Sequence, residues 1–125
     1  MLNNPTSVYN QTLLNEATDL LLACLRGIPK DRIDPKMYWS WAQKALTLAG
    51  NGGTTFEKMV SIIHRELHYG DSPFSERSSE RIYTIGESIK ASGQFSQFRR
   101  LLREQAPYIV VMARVRRKNQ KGSEK

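Results

Sequence analysis

The chain has 125 residues, 39% hydrophobic and 25% charged, with 19 Lys+Arg against 12 Asp+Glu and a formal charge of +7. That length suits one domain with a small core and excludes a second catalytic domain. The longest apolar runs, Leu20–Leu25 and Tyr108–Ala113, are six residues each, far short of the roughly 18 a membrane span needs.

The polar start MLNNPTSVYNQ lacks the basic region of a signal peptide. The single cysteine, Cys24, lies in LLLACL and has no partner for an internal disulfide, so a reducing, cytoplasmic setting is expected. With no His or acid flanking it, Cys24 reads as a small core hydrophobe rather than a nucleophile.

Taken in chain order, every segment has helical periodicity, which predicts an all-α compact bundle of five or six helices over residues 1–119, followed by a flexible basic tail, 120–125. The first helix is expected from about Ser7 to Leu25, with Leu13, Ala17, Leu20, Leu21 and Cys24 on one stripe and a stop near Gly27 and Pro29. The second opens with Asp34 as N-cap and Pro35 at the first helical position, where a missing N–H costs nothing. It should bury Tyr38, Trp41, Ala42, Ala45 and Leu48 and stop at Gly50, with Trp39 facing another way, either exposed to stack on a base or meet a partner subunit or, as is ordinary for Trp, partly buried.

Thr54 and Glu57 have capping-box spacing ahead of a third helix whose apolar face is Phe56, Met59, Val60, Ile63 and Leu67, closed by Gly70. Asn51-Gly52-Gly53-Thr54 lacks the Lys of a phosphate loop and reads as a helix start. The fourth helix opens at Ser72 and Pro73, buries Phe74, Ile82, Ile85 and Ile89, and turns Glu76, Glu80 and Glu87 to solvent before Gly93 closes it.

A fifth helix from Gln94 buries Phe95, Phe98, Leu101 and Leu102. Pro107 then imposes either a kink or a fresh start. Beyond it Tyr108, Val111, Met112 and Val115 form a stripe, and the added apolar Ile109, Val110 and Ala113 predict a segment inserted between the other helices.

His64 and His68 share a helix face, but Glu66 lies about 200° around the helix from His64, which is not the zincin arrangement, and a third His or a spare Cys is lacking. Neither a metal nor another cofactor is expected, and no catalytic residue is assigned.

The cations are the informative feature. Residues 1–93 carry ten Lys/Arg and ten Asp/Glu, so the whole +7 falls after Gly93. Arg99, Arg100 and Arg103 lie opposite the apolar face of the fifth helix; Arg114, Arg117 and Lys121 fall at i, i+3 and i+7, with Arg116 and Lys118 on their flanks. Such an arginine-rich ridge suits a phosphate backbone, because the planar guanidinium matches phosphate oxygens and clustered cations concentrate a polyanion. A recognition helix and a stacking sheet are both missing, so backbone tracking is expected rather than base readout.

The segment Phe95-Ser-Gln-Phe98-Arg-Arg-Leu-Leu102, followed by Ala106-Pro107-Tyr108 and Ala113-Arg114-Val-Arg116-Arg117-Lys118, resembles the final helices of the small subunits of CRISPR effector complexes. The chain looks most similar to the type I-D small subunit, which is also the C-terminal helical part of the large subunit. The resemblance implies a non-catalytic, multi-copy subunit that touches guide RNA and target DNA, other protein subunits and copies of itself, without a membrane. The site it implies is Arg99, Arg100, Arg103, Arg114, Arg116, Arg117, Lys118 and Lys121. An alternative is a helical protein–protein adaptor of phage or plasmid origin with an acidic partner.

Overall fold

The computed structural model describes residues 11–26, 34–52, 55–68 and 76–123, which form five helices and, among the described residues, no strand. These are α1 (Gln11–Arg26), α2 (Pro35–Asn51), α3 (Phe56–His68), α4 (Glu76–Ala91) and α5 (Phe95–Ser123). The expected all-α bundle is the fold. The expected boundaries at Ser7, Gly27, Pro29, Thr54, Gly70, Ser72 and Pro73, the expected core residue Phe74 and the side chain of Glu76 lie outside the described residues. No described helix is long and apolar enough to cross a membrane.

Local chemistry sets the helix ends. Asp34 accepts the Lys36 backbone N–H at 3.1 Å, with Pro35 in the first turn. At the start of α3 the Thr55 Oγ1 accepts the Lys58 N–H at 3.3 Å, while the expected cap Thr54 lies outside the described residues. With Lys58 three residues after Thr55, the reciprocal carboxylate bond of a capping box cannot form there. Gly93 has φ +72°, the left-handed conformation that closes α4 and that glycine adopts without strain. The break expected at Pro107 is present: Gln105 is non-helical (φ −113°, ψ 17°), so α5 is two helical segments meeting at a kink just ahead of Pro107, the second reaching Ser123, past the expected boundary at residue 119.

The core draws on all five helices. α5 lies between α1 and α2, α3 packs on α2, and α4 packs on α1. Leu13, Leu14, Leu20 and Leu21 of α1, Ile63 and Leu67 of α3, and Phe98, Leu101 and Leu102 of α5 are buried. Cys24 is among them, and burial pushes its thiol far above the ordinary range, so the thiolate a nucleophile requires is suppressed.

Two apolar stripes differ from expectation. On α2, Leu48 is 40% exposed and Trp41 only half-buried, as is Trp39; the buried face is Tyr38, Ala42, Ala45, Leu46, Ala49 and Gly50. Trp41 and Leu48 fall roughly 90–110° from the centre of that face at 100° per residue. Small residues occupy the contact because α2 and α5 approach closely. A Cβ at Gly50 would sit 2.5 Å from the Arg103 backbone nitrogen and 2.7 Å from the Arg99 carbonyl oxygen.

Backbone atoms cannot rotate away, so Gly50→Ala must push the two helices apart. A net loss of about 1–3 kcal/mol is expected, despite the roughly 1 kcal/mol that alanine contributes to helix propensity. Urea unfolding checks this, and an unchanged or raised midpoint would show that the contact is looser than described.

On α5 beyond Pro107, the expected Tyr108–Val111–Val115 face is the outer one, 42%, 56% and 52% exposed, and Met112 is half-buried. Ala106, Ile109, Val110 and Ala113 are buried instead. The segment is therefore covered on one arc and open to solvent on the other, rather than enclosed all round.

Candidate functional site

The inward turn of Ile109, Val110 and Ala113 sets the direction of every cation that follows. Arg116 and Arg117 continue the covered side of α5, whereas Arg114 and Lys118, one turn apart, are exposed on the other. The side chain of Lys121 lies outside the described residues. The expected single ridge of Arg114, Arg117 and Lys121 is thus divided: Arg114 faces solvent while Arg117 is half-buried.

Arg116 reaches α1, pairing through Nη1 with Asp19 Oδ1 and donating from Nη2 to Asn15 Oδ1 at 3.0 Å. The other Asp19 oxygen meets Arg81 of α4 at 3.4 Å. Asp19 therefore ties three helices together at one carboxylate. Beside it, the Arg117 guanidinium lies against the Tyr38 phenol, whose hydroxyl donates to the Leu25 carbonyl oxygen at 3.3 Å. Burial pushes the Tyr38 phenol above its ordinary value, and the neighbouring Arg117 cation offsets part of that rise.

An open cleft of about 170 Å³ occupies this junction, with Leu22, Ala23 and Leu25 on its apolar side and Arg26, Arg81 and Arg117 around Asp19. Arg26, in the last turn of α1, forms no ion pair among the described residues. Arg26 lies outside the cationic set that helical periodicity selects. Its only local signal is a cation at a helix C-terminus, which serves the helix dipole equally well, and nothing in the sequence places it beside Arg117.

On the first half of α5, Arg100 and Arg103 are exposed and share Glu104, at 3.5 and 3.6 Å. Arg99 is not outward as expected. It is half-buried, and its Nε is covered with no hydrogen-bond partner among the described residues. The exposed cations of α5 are therefore Arg100 and Arg103 ahead of the kink and Arg114 and Lys118 after it, the later segment also exposing the apolar Tyr108, Val111 and Val115.

His64 is buried on α3, and the side chain of His68 lies outside the described residues. Among the described residues no group of three or more His, Cys, Asp or Glu gathers as a metal site would require. No family model, curated protein or solved structure gives a match to the chain.

Proposed function

We propose that the protein is a non-catalytic nucleic-acid-binding subunit of a CRISPR interference ribonucleoprotein, holding the phosphate backbone of guide–target duplex or displaced DNA through the exposed cations of α5. The observation that carries this reading is the location of the entire +7 after Gly93, with Arg100, Arg103, Arg114 and Lys118 exposed on one helix and only Glu104 among them. Exposed guanidinium groups bind phosphate oxygens with charge-assisted hydrogen bonds and release condensed counterions. They carry no base code, so sequence would be supplied by the guide. The resemblance of residues 95–118 to the final helices of the small subunits supports the choice of assembly.

The exposed Tyr108–Val111–Val115 stripe supports packing against larger subunits or further copies, since an apolar stripe on an otherwise polar surface favours a protein contact. It also favours the second reading, an adaptor whose acidic partner sits on the same face. Purification at low and then high salt separates the two. The proposal expects a raised 260/280 nm absorbance ratio at low salt that falls at high salt; a preparation free of nucleic acid that forms a stable complex with an acidic protein would favour the adaptor.

A further inference from the structure

We infer that the cleft between α1, α4 and α5 is a discrete site for one phosphate group, gripped by Arg26, Arg81 and Arg117 and regulated by Asp19, separate from the exposed cations of α5. Three cations border the cleft and a single carboxylate sits among them. That carboxylate is already engaged on both oxygens, by Arg116 on one and Arg81 on the other. Its charge is largely compensated before any ligand arrives, and Arg26 and Arg117 remain without an ion pair among the described residues.

The volume of about 170 Å³ corresponds to roughly five or six waters at about 30 Å³ each, room for a phosphate with the first atoms of its ester. Leu22, Ala23 and Leu25 line the cleft on one side, which suits the carbon side of a phosphate ester better than a fully hydrated inorganic anion. Arg117 is held from behind by Tyr38, so less side-chain freedom is lost when it binds.

Asp19 is the distinguishing element. It engages Arg81 at Nη2, 3.4 Å away, so a phosphate reaching that nitrogen competes with the carboxylate. If the arginines served only to pair with Asp19, neutralising Asp19 would simply loosen the junction. In a phosphate site the same change frees Arg81 Nη2 for the ligand.

The inference rests on the proposed function only for the molecule that carries the phosphate. Inorganic phosphate is titrated into the full-length protein and its D19N and R26Q variants while the arginine Nε–H NMR signals are followed, and a short RNA duplex is titrated in parallel. The expected result is saturable movement of the Arg81 and Arg117 signals, binding about threefold tighter in D19N and severalfold weaker in R26Q, scaled to the worth of a partly exposed ion pair. Arg26 forms no ion pair among the described residues, so R26Q reads binding without breaking a described contact of the junction.

If R26Q also weakens the duplex, the phosphate belongs to the backbone; if phosphate binds while the duplex is indifferent to R26Q, the site stands and takes a free phosphorylated molecule. Arginine signals unmoved by phosphate, with D19N no tighter than the parent, overturn the inference even where the duplex binds through α5. Failure of the duplex alone overturns the proposed function and leaves the cleft.

Discussion

Phe98→Ala is expected to cost about 3–5 kcal/mol, a large part of the 5–15 kcal/mol that holds a domain of this kind together. Phe98 is completely buried on the first turns of α5, at the place where α5 enters the bundle. Its ring lies 6.5 Å from that of Phe56, which is itself 6.2 Å from Phe95. Truncation removes the transfer energy of the ring and leaves a cavity bordered by another aromatic that cannot collapse without moving α3.

A matched control is Tyr83→Ala on α4, where the ring is 63% exposed and the change should stay within about 0.5 kcal/mol of the parent. Chemical denaturation of both variants checks the pair. A small loss at Phe98 would mean that the start of α5 is not anchored as described, and the direction given to every later cation would be in doubt.

The second large effect concerns binding. Arg100, Arg114 and Lys118 are exposed and none packs in the core, so their joint replacement by glutamate should leave the fold in place while lowering the formal charge from +7 by six. Affinity for duplex nucleic acid should fall on the order of a hundredfold or more at low salt. Arg117 is left out of this set deliberately. It is half-buried against Tyr38, and a glutamate there would damage the bundle and blur the reading. Circular dichroism and the unfolding midpoint of the variant verify that only the surface has changed.

Much of the bundle is legible from periodicity alone. The stripes of α1, α3 and α4 are buried as their spacing implies, because each has one dominant apolar arc with polar residues opposite. α2 misleads for a physical reason. Its largest apolar side chains, Trp41 and Leu48, lie to one side of a contact built from Ala42, Ala45, Ala49 and Gly50. Close approach of two helices selects small residues, and a reading weighted by side-chain size points to the wrong face.

α5 misleads differently. After Pro107 two apolar arcs compete, Tyr108–Val111–Val115 and Ile109–Val110–Ala113, and local pattern cannot choose between them. The choice follows from packing against α1 and α2 and from the Arg116–Asp19 pair, formed across 97 positions of chain. The same choice divides the basic residues. The sequence identifies which segment is cationic, yet only the phase of the buried arc determines that Arg114 and Lys118 face solvent while Arg116 turns to Asp19 and Arg117 lines the cleft with Arg26 and Arg81.

We propose that α5 binds phosphate backbone electrostatically through its exposed cations. The most direct measurement is the affinity for a duplex as a function of salt, in the parent and in the R100E/R114E/K118E variant. Each phosphate neutralised contributes about 0.9 to the slope of log K against log salt on duplex DNA. The account predicts a steep negative slope for the parent and one shallower by about 2.5–3 for the variant. Equal affinity and equal slope in the two proteins would contradict it.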